Sequence, residues 1–323
     1  MNKKFEMICQ MSQARVKKYV EEQLKLTSTD VTVGDGFVFA KGTFPVLLVA
    51  HMDTVHDLLP DLILYDMTTD RMSSPNGIGG DDRCGIYMIL EIIKRYNCSV
   101  LFCEDEEIGC VGARKFVETD LAKELEFNYA IELDRKGSND AVFYDCDNED
   151  FTEFITKEFY NKAYGSMSDI STVAPALGCA AVNLSCGYYN AHTKKEYVVL
   201  GEMEKGIEEV CKILERTTEE DKFEYIECEY SNYWGGSYYS GYYSGGSYYK
   251  GSNFGSYSAS YYDVYEHDSF TNYYLIEYNN ENGKTDWFET YAVSEAEAVG
   301  RFLMWYPNLC YNCIIDVMVD NGR

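Results

Sequence analysis

Two histidines and a group of carboxylates occupy positions where folded chains gather reactive side chains. His51 closes the apolar run 46–50, and Asp53 follows two residues later. Asp81 and Asp82 stand in the bend Gly79-Gly80-Asp81-Asp82-Arg83-Cys84-Gly85. Glu104-Asp105-Glu106-Glu107 follows the apolar residues 100–103, Asp134 ends Ala130-Ile131-Glu132-Leu133, and His192 lies in Tyr189-Asn190-Ala191-His192-Thr193. Imidazole nitrogens and carboxylate oxygens, with no thiolate among them, suit zinc, manganese or cobalt. One carboxylate shared by two ions, with one histidine and one further acid for each, makes a two-metal site. A remaining acid that holds no metal can take a proton from an activated water. Such machinery hydrolyses amide bonds.

Taken singly, each signal has a plain structural reading. A histidine at a strand end is often only hydrogen-bonded, and an Asp pair before a helix can be an N-terminal cap. An acidic turn can simply be solvated, although four adjacent acids repel one another unless a cation compensates. Their arrangement is the stronger signal. Alternation along a strand sends residues i and i+2 the same way, so Asp53 is expected beside the His51 ring, fixing its tautomer.

The elements that must carry these groups follow from periodicity. Residues 3–26 have helical spacing, residues 31–40 form a hairpin about Gly34-Asp35-Gly36, and a buried strand ends at His51. Residues 57–80 are loop-like. A strongly apolar helix runs over 84–96, a strand over 99–103, and a helix starts at 112. Further strands are predicted at 129–133 and 180–184, and further helices at 150–160 and 202–216. Strands alternating with helices argue an α/β three-layer sandwich around a mostly parallel sheet.

Composition changes after residue 222. Residues 230–265 hold twelve of the 30 tyrosines among Gly and Ser, a low-complexity stretch that reads as a linker or a self-associating segment. Strands at 273–278 and 286–291, a helix capped by Ser294 with Glu297, and a strand at 314–319 suggest a small ββαβ module. The expected units are residues 1–222, a linker over 223–268, and a module over 269–323.

The formal net charge of −26 repels phosphate backbones and argues against a nucleic-acid partner. No stretch approaches the length of a spanning helix, and the first twenty residues lack a signal-like apolar run. Twelve scattered cysteines fit free thiols in a reducing cytoplasm. Cys310-Tyr-Asn-Cys313 has metal or redox spacing, but no second pair completes it.

His51-Met-Asp53-Thr-Val, GGDDRCG, CEDEEIG, ELD and NAHTKKE stand in the order that resembles the co-catalytic zinc exopeptidases. The likeness is to peptidase T and to carboxypeptidase G-like and aminoacylase-like enzymes, and extends to the di-zinc aminopeptidases, over about residues 30–215. It implies two divalent ions, zinc before manganese or cobalt. It implies His51 as ligand of one ion, oriented by Asp53, with Asp81 bridging. Glu107 and His192 would bind the other ion, Asp134 would complete the site around the His51 ion, and Glu106 would serve as base and then acid. Asp134 is preferred to Glu132 for its strand-end position. Ser168-Asp169 resembles a substrate-side loop, and His56 reads as a loop residue near the site. Only 58 positions separate Asp134 from His192 and 30 separate His51 from Asp81, so neither inserted domain of those relatives has room here. A bare catalytic domain acting on short peptides is expected. N-acyl amino acids are the alternative substrates, and a catalytically idle metal-binding scaffold is the alternative of another class. Assembly into a homo-oligomer, or contact with a protein partner, would fall to the C-terminal segment.

Overall fold

The structure, a computed structural model, describes residues 2–165, 167–228, 272–280, 284–292, 298–299, 302 and 313–320. It opens with α1 (Lys3–Cys9) and α2 (Gln13–Thr27), where one helix over 3–26 was expected. The Ser12 hydroxyl accepts the Arg15 N–H and starts a second helix. The apolar periodicity continues on both sides of this elbow and so conceals it.

The hairpin β1 (Val31–Gly34) and β2 (Phe37–Ala40) leads to β3 (Phe44–His51). Residues 57–80 are not all loop, because β4 (Leu64–Asp66) and β5 (Arg71–Ser73) form a hairpin there. Three-residue strands are too short for alternation to reveal them. Next come α3 (Gly80–Ile92), β6 (Cys98–Cys103), α4 (Val111–Val117), α5 (Asp120–Lys123) and β7 (Tyr129–Arg135). They are followed by β8 (Asp140–Val142), α6 (Glu149–Thr156), β9 (Asn161–Ala163), α7 (Ile170–Leu177) and β10 (Ala181–Ser185). The hairpin β11 (Tyr188–Tyr189) and β12 (Tyr197–Val199) precedes α8 (Leu200–Arg216).

The main sheet has the order β1-β2-β6-β3-β7-β10-β8-β9. Its centre, β6-β3-β7-β10, is parallel, and β2 and β8 pair antiparallel at its flanks. Val46, Leu48 and Ala50 face the layer built from α1, α2, α3, α6 and α8. Leu47 and Val49 face α4, α5 and α7. The strands are buried on both sides, which is why they read as continuous apolar runs. This is the α/β sandwich with a mostly parallel sheet that the alternation of elements predicted. At Gly85 a Cβ would fall 1.8 Å from the Leu133 carbonyl oxygen, so a glycine lets α3 lie directly on β7.

A second sheet, β11-β12-β5-β4, holds the loop 190–196 between two of its strands. Residues 223–228 are still pinned to the sandwich, with backbone bonds from Phe223 to Asn128 and from Tyr225 to Gly178. Farther along, β13 (Asn272–Asn279), β14 (Thr285–Ala292) and β15 (Ile314–Asp320) form an antiparallel sheet of order β14-β13-β15. Tyr274, Ile276 and Tyr278 pack there with Ala298, Val299 and Phe302. The Tyr-rich stretch, the Ser294–Glu297 cap and Cys310 lie outside the described residues. Every described cysteine is a free thiol. Among the described residues no helix is long and apolar enough to cross a membrane.

Candidate metal centre

β3 delivers His51 to the carboxyl edge of the parallel strands, where an α/β sheet leaves a crevice between its loops. The ring is fully buried. Its Nδ1 lies 3.2 Å from Asp53 Oδ1. Its Nε2 lies 3.2 Å from Asp81 Oδ1 and 3.4 Å from Asp134 Oδ1. Asp81 comes from the glycine bend that opens α3, and Asp134 from the end of β7.

The second oxygen of Asp81 faces another histidine. His192 Nε2 is 3.1 Å from Asp81 Oδ2 and 3.1 Å from Glu107 Oε2. Two triads therefore share Asp81: His51, Asp81 and Asp134, and Asp81, Glu107 and His192. His51, Glu106 and Glu107 also offer donor atoms within 4.8 Å of one another, which puts the Glu106 carboxylate beside both triads. All seven side chains singled out in the sequence thus converge.

The acidic run 104–107 is divided between two tasks. Lys17 of α2 pairs with Glu104 at 2.6 Å, and the Gln13 side chain donates to Asp105 at 2.9 Å. Asp53 accepts the N–H groups of Glu106 and Glu107, each at 3.0 Å, and so turns the other two acids toward the histidines.

Burial favours the neutral form of every group here, but the neighbouring charges decide the outcome. Against burial, Asp134 and its hydrogen bond hold the His51 imidazole well above its usual range. Glu107 and Asp81 do the same for His192. Asp81 is held low in spite of burial by its bonds from His192 and His51. Burial, and then the charge of Asp81, push Glu107 up to about 7. Burial, Glu107, Asp134 and Asp169 raise Glu106 well above the carboxylate range.

The donors fit divalent ions. Ligands held about 2.0 Å from a tetrahedral ion stand about 3.3 Å apart. The four histidine–carboxylate separations, 3.1 to 3.4 Å, match that edge. Glu107 Oε1 is also buried with no partner. A crowd of buried carboxylates around two imidazoles and the inward-turned Arg83 calls for more positive charge than the side chains supply.

What several residues around the site contribute was not legible in the sequence. Asp82 accepts the His51 N–H at 3.2 Å and the Gly85 N–H at 2.8 Å. The Tyr188 hydroxyl donates to Asp134 Oδ1 at 3.2 Å. Arg83 donates to the carbonyls of Met52 and Met11. Glu132 lies beneath the triads and accepts the Ser168 hydroxyl at 2.5 Å. Ser168 and Asp169 are both buried, and Ser168 also donates to Asp134 Oδ2 at 3.0 Å. Asp169 is raised by burial to about 7. Most of these contacts join residues far apart in the chain, and several use backbone N–H groups, which carry no residue signature.

Residues 40–177 match the model of Peptidase family M28. No curated protein matches the chain. Among solved structures, the aminopeptidase PepT from Bacillus cereus ATCC 10987 is similar at 15% identity, over 66% of this chain and 96% of that one, with a TM-score of 0.53. A tripeptidase from Staphylococcus aureus subsp. aureus Mu50 is similar at 14% identity, over 65% and 95%, with a TM-score of 0.52. The aminopeptidase APDkam598 from the archaeon Desulfurococcus kamchatkensis is similar at 14% identity, over 67% and 95%, with a TM-score of 0.52. These structures share the sandwich fold, and the family match falls on the segment that carries all of the convergent donors except His192. The match over residues 40–177 marks the chain as a metallohydrolase similar to Peptidase family M28, on the sandwich fold that the solved structures share.

Proposed function

We propose that this protein is an exopeptidase, of aminopeptidase or di- and tripeptidase type, that cleaves short peptides at a pair of divalent ions. The observation that carries this reading is the sharing of Asp81 by two donor triads, each with its histidine 3.1 to 3.4 Å from its carboxylates. His51, Asp81 and Asp134 would hold one ion, and Asp81, Glu107 and His192 the other. The nitrogen and oxygen donors suit zinc first, then manganese or cobalt. When bound, the ions polarise the scissile carbonyl and lower the pKa of water.

The remaining steps belong to the side chains. Asp53 keeps the His51 ring in the tautomer that presents Nε2 to the site. Glu106 holds no ion. It accepts the proton of the attacking water and passes it to the leaving nitrogen as the C–N bond breaks. Packing of β3, β6 and β7 on both faces keeps these groups in place before substrate arrives.

The test is a substrate panel on zinc-loaded protein, setting di- and tripeptides with free amino termini against N-acyl amino acids. Turnover of the peptides is expected. Turnover confined to the N-acyl compounds would replace the exopeptidase reading with a deacylase. Two bound ions with no turnover of either class would leave a scaffold.

A further inference from the structure

His56, five residues after His51, is a histidine that the chemistry above leaves without a role. Its Nε2 lies 2.7 Å from Glu196 Oε2. Glu196 is fully buried. The same Oε2 accepts the Gly79 N–H at 2.8 Å, and Oε1 accepts the Asp81 N–H at 2.9 Å. Gly77 has a φ of 89°, and a Cβ there would fall 2.1 Å from His56 Cε1, so the ring fills a space that only glycine leaves.

Glu196 follows His192 by four residues on the same loop. One carboxylate therefore ties the loop of His192 to the backbone of Asp81, and these are two of the three donors in the Asp81–Glu107–His192 triad. Apart from the shared Asp81, the donors of the other triad are anchored independently. His51 and Asp134 end adjacent parallel strands, Asp82 holds the His51 N–H, and Asn183 accepts the Asp134 N–H at 2.9 Å. His192 has no such support, since its Nδ1 is buried without a partner and its backbone φ is 62°.

We propose that Glu196, backed by His56, is a positioning residue that sets the gap between Asp81 and His192 and so governs occupancy of that second ion. The proposal rests on the two-ion reading above. Groups that act behind a ligand typically cost about 10–100-fold in metal affinity when removed. Here the loss should be confined to one of two ions.

The experiment is a calorimetric titration of metal-free, full-length protein with zinc, repeated with cobalt to follow its visible absorption. For Glu196→Ala the first equivalent should stay within about threefold of the parent, and the second should weaken about 10–100-fold. His56→Ala should show a smaller loss in the second equivalent alone. His56→Gln, which can still donate to Glu196, should restore it. Equal weakening of both equivalents, or of neither, overturns the proposal. If Glu196→Ala does not fold, the His56 pair decides, because a merely structural role would not separate the two ions. A parent protein that takes up fewer than two ions refutes the two-ion reading itself, a result distinct from an unchanged variant.

Discussion

The Asp53 oxygen that faces the His51 ring also accepts the Glu106 N–H, at 3.2 and 3.0 Å respectively. One carboxylate thus orients an imidazole of the proposed metal site and places the backbone of the proposed base. These bonds, with the Glu107 N–H on the other oxygen, hold Asp53 below the usual carboxyl range in spite of burial. Asp53→Asn keeps the shape but can turn an NH2 toward one of those donors. Zinc affinity should fall about 10–100-fold, and kcat should fall with it. Competition against a chromophoric chelator measures the first, and an affinity equal to the parent's would reject the orienting role.

Glu106 is predicted to move a proton and hold no ion. Glu106→Gln should retain two zinc ions by elemental analysis, change KM little, and lower kcat by about 10²–10⁴-fold. Loss of an ion on this substitution would make Glu106 a ligand, and full activity would remove it from the mechanism.

The metal-free protein should lose stability as pH rises. His51 and His192 are held above their ordinary range, by Asp134 and Glu107 respectively, against burial, and burial lifts Glu107 to about 7. Each of these groups binds its proton more tightly folded than unfolded, so each stabilises fully below its unfolded pKa and ceases to do so above its folded one. Asp53 and Asp81, held low, act in the opposite sense, but in the acid range below about pH 4. Metal displaces the site's protons, so its affinity rises with pH. Between about pH 5 and pH 8, the Tm of chelator-treated protein should fall and its gap to zinc-loaded protein should widen. Differential scanning fluorimetry across that range measures both, and a constant gap would contradict proton–metal exchange.

Gly85→Ala should destabilise the fold without touching a donor. The added methyl would meet the Leu133 carbonyl at 1.8 Å and both Asp82 carboxylate oxygens at 2.6 Å. Separating α3 from β7 should cost about 3 kcal/mol, at the upper end of overpacking effects. Urea unfolding of the metal-free protein reads this directly, and an unchanged midpoint would mean that the helix shifts freely.

What the sequence made legible follows from what each residue does. β3, β6 and β7 announced themselves because burial on both faces demands unbroken apolar runs, and the donors at their ends stood out as polar residues closing such runs. The elbow at Ser12 was hidden because capping needs only one hydroxyl at the right turn. β4 and β5 have no length for a pattern, and α7 carries Pro175, which reads as a breaker. Asp82, Tyr188 and Glu196 act across the fold, Glu196 on Asp81 from 115 residues away. No local spacing encodes such a contact.

The division of labour along residues 104–107 reaches back to the start of the chain. Lys17 and Gln13 grip Glu104 and Asp105, while Arg83 ties the Met11 carbonyl to the frame beneath the site. The opening helices therefore act as a splint on the loop that bears the proposed base. A version of the protein trimmed to begin at Val31 would keep every proposed ligand and still set the loop of the proposed base adrift. Its zinc content should survive better than its turnover, and supplying residues 1–30 as a separate peptide should recover part of the lost rate.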